Sequence, residues 1–142
     1  MSGITQVRPY FRSVCTGLGL REWRDGFNFE NIPRTLLDRS FHIETNSGSR
    51  RGAYSQQSQE IEQDCSVRVF LKGFRNPADA IDRAMALYEE ILESALSEDR
   101  LGCDIKNVFL NTMQILPLDP TNDNSVILEV TFTCLIIIKT GR

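Results

Sequence analysis

At 142 residues the chain is long enough for one compact domain and cramped for two, and its 41% hydrophobic content suffices for an ordinary core. Sixteen Lys and Arg against nineteen Asp and Glu leave a net charge of −3, which excludes an overall positive field that gathers nucleic acid or anionic membrane. The N-terminal MSGITQVRPYFRS carries no apolar signal core, and the longest apolar run, Cys134 to Ile138, is too short to cross a bilayer, so neither export nor membrane contact is expected.

Ile4, Val7, Phe11, Val14 or Cys15, and Leu18 recur at helical spacing, predicting an amphipathic helix over about 5–16. Thr5 is its candidate cap, Pro9 falls near enough to the start to be tolerated, and Gly17 and Gly19 stop it. From Leu20 to Asp38 the pattern is irregular, with Trp23, Phe27 and Phe29 as anchors and Pro33 forbidding a long helix. Ser40 to Thr45 alternates Phe41 and Ile43 against His42 and Glu44, the pattern of a short half-buried strand.

Asn46 to Gln63, NSGSRRGAYSQQSQEIEQ, is polar throughout and reads as a long hairpin loop with a basic tip at Arg50 and Arg51, next to Tyr54. Ordering a residue's backbone costs about 1 to 2 kcal/mol, so this stretch is expected to be mobile unless a partner holds it. Keeping it costs little, about 0.6 kcal/mol per doubling of loop length.

Cys65 to Lys72 alternates again, with Cys65, Val67, Val69 and Leu71 on one side and Ser66, Arg68 and Phe70 on the other, and is expected to pair with the strand before the loop. Asn76 can cap a second helix, with Pro77 at its first position and Asp79 near its positive dipole end. Ile81, Met85, Tyr88, Leu92 and Ala95, flanked by Ala84, Ile91 and Leu96, form the stripe expected to lie on the sheet. Asn107 to Leu116 and Ser125 to Lys139 read as two further strands around the turn-rich PLDPTNDN. In the last strand Leu128, Val130, Phe132 and Cys134 point inward, and from Leu135 to Ile138 both faces turn apolar, so both sides are expected to be covered there. The expected fold is one α+β domain over residues 1–142: a four-stranded, mostly antiparallel sheet with helices packed on one face and a long β-hairpin loop.

Chemistry is hard to find. His42 is the sole histidine, sits on the outward side of a strand, and has no serine or cysteine in a nucleophile setting. Cys15, Cys65, Cys103 and Cys134 form no CxxC pair, and Cys65 and Cys134 are expected to be small core hydrophobes. Asp79, Asp82, Glu89, Glu90 and Glu93 fall mostly on a solvated helix side. TGLGL lacks the strand, third glycine and helix of a dinucleotide fingerprint. No enzyme activity, cofactor or metal is therefore expected.

The order of these segments resembles the tail terminator, or tail completion, proteins of long-tailed bacteriophages. The likeness spans nearly the whole chain: the N-terminal helix, ENIPRTLLDRSFHIE, the long polar hairpin, SVRVFLKGFRNPADAIDRAMALYEEI, and the closing strands ending in VTFTCLIIIK. It implies a structural virion protein assembled in the host cytoplasm, a homohexameric ring at the head-tail junction that caps the tail tube, ends its growth and meets a head-completion or connector protein. Genomic DNA would pass through the lumen without sequence-specific binding, and Arg50, Arg51 and Tyr54 would contact the tube or line the lumen.

Charge asymmetry suggests the subunit interface. Asn76 to Ser97 holds five acids and one arginine, whereas residues 1–39 hold six arginines and four acids, so the acidic helix side with Glu89 and Glu90 of one subunit is expected to meet Arg8, Arg12, Arg21 and Arg24 of the next. Ile137, on the two-faced strand end, is expected to be exposed in a lone subunit and covered in a ring. The alternatives are another neck or minor tail component, or a small-molecule-binding regulatory α+β domain that dimerises through its sheet.

Overall fold

The computed structural model describes residues 4–55, 58–97, 105–118 and 124–139; the side chains of Ile4, 46–59, Ile138 and Lys139 lie outside that description. Helix α1 (Ile4–Gly17) precedes strand β1 (Arg21–Glu22), β2 (Ser40–Ser55), β3 (Ser58–Leu71), helix α2 (Pro77–Ala95), β4 (Ile105–Pro117) and β5 (Val126–Lys139). The strands form one sheet in the order β1-β2-β3-β5-β4. All neighbours are antiparallel except β1, which lies parallel to β2 through Arg21↔Ser40 and Glu22↔Phe41. The sheet thus has five strands rather than four. The extra strand is two residues within the irregular connection, and it is a strand only because Phe41 and Arg39 offer carbonyls to the Trp23 and Arg21 amides.

Both helices lie on one side, α1 against β2 and β3, and α2 against β5 and β4. Alternation in β3 and β5 puts Cys65, Val67, Val69, Leu71, Leu128, Val130, Phe132 and Cys134 beneath them, all buried. Phe11 of α1 stacks on Phe132, ring centroids 4.9 Å apart. Asn76 caps α2 as expected, its Oδ1 accepting from the Asp79 amide at 2.9 Å with Pro77 following. Gly19, at φ +80°, turns the chain out of α1.

Helix α2 is rotated from its expected setting. The residues on the sheet are Ala80, Ala84, Leu87, Ile91 and Ala95, whereas Ile81 and Met85 are each 42% exposed and Leu96 is 39% exposed. The sheet contributes the bulk here, with Phe132, Leu128 and Ile136 fully buried, so the helix fits close only where it offers alanines.

The polar stretch 46–63 is also different from its reading. The long hairpin is present, but among the described residues it is built of strand, paired from Gly48↔Gln63 to Ser55↔Ser58 with register shifts on β2. On its other side β3 pairs with β5 without interruption from Ser58↔Lys139 to Leu71↔Val126. The apolar end of β5 is what the arm covers. Ile136 is fully buried between Ile61 and Ile105, Leu135 is buried, and Ile137, opposite Glu60, is half-buried rather than exposed in the single chain.

Among the described residues, the outer side of the sheet is covered by the chain connection at the end where β2 begins and β3 finishes. There Phe27 and Leu36, from the connection after β1, close over Phe70 and Ile127, with Phe27 and Phe70 edge to face at 6.4 Å. Trp23 and Ile32 pack around this second cluster.

Candidate functional site

Three surfaces are candidates: the open sheet edges, the uncovered outer side of the sheet, and the exposed flanks of the helices.

Among the described residues no strand pairs with the outer edge of β4, nor with β2 beyond Phe41. These edges lie at opposite ends of the strand order, so both rows of backbone donors and acceptors look away from the domain. The β2 edge runs up the hairpin arm and bears register shifts between Thr45 and Gly48, between Arg50 and Gly52, and between Ala53 and Ser55. Each shift inserts one extra residue on β2, which bends and twists the strand. Arg51 and Tyr54 are two of the inserted residues, and Arg50 pairs with Ile61. The arm therefore brings Arg50, Arg51 and Tyr54 together along one strand; their side chains lie outside the described residues.

Where β1 ends, a groove of about 500 Å³ opens beside β2, lined in part by Arg8, Arg24, Asn31, His42 and Thr45. The His42 ring lies on the outer side of the sheet as expected, but it is not left in solvent. Its Nδ1 lies 3.1 Å from the Trp23 carbonyl, so that nitrogen carries the proton, and Gly26 passes so close that a Cβ there would meet the ring at 3.1 Å. Gly26 stands at φ +79°, where a side chain would be strained as well as crowded. His42 here holds the connection onto the strand. Among the described residues no three or more His, Cys, Asp or Glu side chains converge as a metal site would require.

The middle of the outer side is a polar ladder. Arg68 donates from Nε to Glu129 Oε2 at 2.7 Å and from Nη1 to Glu44 Oε2. Burial alone would lower its pKa, but the two carboxylates outweigh that and hold the guanidinium above its ordinary value. Ser66 and Thr131 share a hydrogen bond at 3.0 Å, and the Thr133 hydroxyl donates to Asp64 at 2.9 Å. Period-two alternation puts Ser66 and Arg68 on this side of β3, but their pairing with Thr131 and Glu129 depends on the β3–β5 register, which the linear chain does not show.

The expected interface residues do not sit together within the chain. Arg8 is exposed on α1. Arg12 is already engaged, its Nε donating to both oxygens of Glu22 at 3.0 and 3.1 Å, so β1 uses a cation that charge counting had assigned to a neighbour. Glu89 and Glu90 are both exposed, but Glu90 lines a groove with Arg39, Lys72 and Arg83 of its own chain, while Glu89 lies a further 100° around the helix. Cys15, Cys65 and Cys134 are buried free thiols, as expected for the last two. Desolvation, helped by Glu22, pushes Cys15 up to about 12, and burial among neighbouring thiols raises Cys65 further. No described helix is long and apolar enough to cross a membrane.

No protein-family model matches the chain, and no curated protein is similar to it. Among solved structures it is similar to a chain of the virion of a native gene transfer agent particle, with 10% identity and a TM-score of 0.49 over 96% of this chain and 92% of that one.

Proposed function

We propose that this chain is a structural virion protein of the tail-terminator kind, working through surfaces offered to copies of itself and to a tube. The observation that carries the reading is the pair of edges left open among the described residues: β4 over Ile105–Pro117 and β2 from His42 to Ser55 are of nearly equal length and lie at opposite edges of one sheet. A strand edge that meets a different edge of the next copy makes a head-to-tail contact, and such contacts close into rings when the rotation allows. Six copies would form a ring at the head-tail junction, capping the tail tube, ending its growth and meeting a head-completion or connector protein. The hairpin arm, with Arg50, Arg51 and Tyr54, reaches beyond the helix-covered part of the sheet and is suited to contact the tube or the lumen through which the genome passes. Arg8 and Glu89 are exposed and remain suited to the subunit boundary, while Arg12 serves it only by giving up Glu22.

Native mass spectrometry of the full chain, alone and with tail tubes, tests the reading. The expected species is six times 16.2 kDa, and added protein should stop tube elongation. A strict dimer formed by β4 against β4, as a dimeric regulatory domain would make, overturns it, as does a monomer that leaves tube length unchanged.

A further inference from the structure

A junction between β4 of one copy and β2 of the next also brings two helix layers together, because α2 lies over β5 and β4, and α1 over β2 and β3, on the same side of the sheet. We propose that the outer flank of α2, built from Ile81 and Met85 and continued by Leu96 at its C-cap, is the docking surface for α1 of a second copy, with Arg8 of that copy drawn to Glu89 and Asp82. The proposal rests on the ring reading and names the helical half of its seam.

The direction of the flank follows from its opposite. Arg83 and Glu90, on the other flank of α2, share a groove with Arg39, Leu71 and Lys72, at the β3 side of the sheet. Ile81, Met85 and Leu96 therefore look over β4 and its open edge. Tyr88 and Leu92, on the same flank, are half-buried against the main core and join the exposed residues to it. On β4, Leu110 faces the helix side opposite Phe132 and is 38% exposed. Single exposed apolar side chains are ordinary, but three on one helix flank beside a bare strand edge form a contiguous patch of the kind interfaces cover.

The occupant follows from charge and shape. Asp82 and Glu89 are exposed and border the patch on its solvent side, which disfavours an anionic membrane and favours a cationic visitor. The flank of α1 that overhangs β2 carries exposed Arg8 together with Thr5 and Arg12. An arginine suits both halves of the surface: its methylene stem packs on Met85 while its guanidinium meets the carboxylates. Once β4 pairs with β2 of a neighbour, that α1 flank is the next surface in the same layer.

Two variants and one cross-link test this with the full chain. Met85→Glu, at an exposed position, should leave the melting temperature unchanged and weaken assembly at least tenfold in native mass spectra, whereas Met85→Leu should assemble normally. Arg8→Cys combined with Met85→Cys, with Cys103→Ser in the background, should give under oxidation a ladder of covalent oligomers ending in a closed ring, because the two positions lie on far sides of one subunit. Rings that form normally from Met85→Glu, or that form without this cross-link, overturn the helical seam and leave the ring standing. A wild-type chain that never assembles, alone or on tubes, overturns the ring itself and the seam with it.

Discussion

The two sides of the sheet are made from the same strands yet solve different problems. On the helix side, β3 and β5 present Val, Leu, Phe and Cys to two helices, and Val67, Val69, Leu128, Val130 and Phe132 are sealed from water. On the outer side, the same strands present Phe70 and Ile127 to a short aromatic connection and then switch to Ser66, Arg68, Glu129 and Thr131, which satisfy one another across the sheet. The difference locates stability on one side and leaves the other polar, bonded within itself and open to whatever passes over it.

The comparison breaks most readily at Phe132. Removing its ring should cost about 3 to 5 kcal/mol, because the cavity opens against the stacked and fully buried ring of Phe11. Urea denaturation of Phe132→Ala checks this; a loss below about 1 kcal/mol would mean that the helix side is not where the fold is held.

Alkali should act next. Cys15 and Cys65 sit on the helix side and keep their protons well above the ordinary value of 9.0, whereas the unfolded chain loses them there. The unfolded state then binds fewer protons than the native one, so stability falls as pH rises, from about pH 9 towards about 12 for Cys15. At pH 10 the loss should be about 1.4 kcal/mol for each thiol relative to pH 7. Cys15→Val should remove one thiol's share of the drop; an unchanged drop would assign it to other groups.

How much of this was legible differs by side in the same way. Period-two alternation in VRVFL and LEVTFTC announced the helix side residue by residue, because burial under helices demands an unbroken apolar row. The hairpin arm was illegible because its three inserted residues reset the alternation of β2, and because its β3 half is held by β5, far along the chain. The α2 orientation misled for a different reason: large side chains look like core, but against a sheet already filled by Phe132 and Leu128 it was the alanines that fitted. For the candidate interface, charge counting offers a basic segment, residues 1–39, and an acidic one, residues 76–97. It could not see that Arg12 was spoken for by Glu22, since that pairing exists only because β1 brings the two together.

The polar ladder gives the smallest effect and the sharpest contrast. Arg68 and Glu129 are each 19% exposed, close enough to water for salt to reach them and buried enough for their hydrogen bond to count. Glu129→Gln should cost about 1 kcal/mol, since Arg68 keeps Glu44 and is not left as a buried unpaired charge. Raising salt to about 1 M, where the screening length falls to about 3 Å, should shrink that difference and leave the Phe132→Ala loss untouched. Urea curves at low and high salt read both. If Glu129→Gln instead costs about 3 kcal/mol or more at either salt concentration, Arg68 is anchored like a core residue and the outer side shares the work of holding the fold.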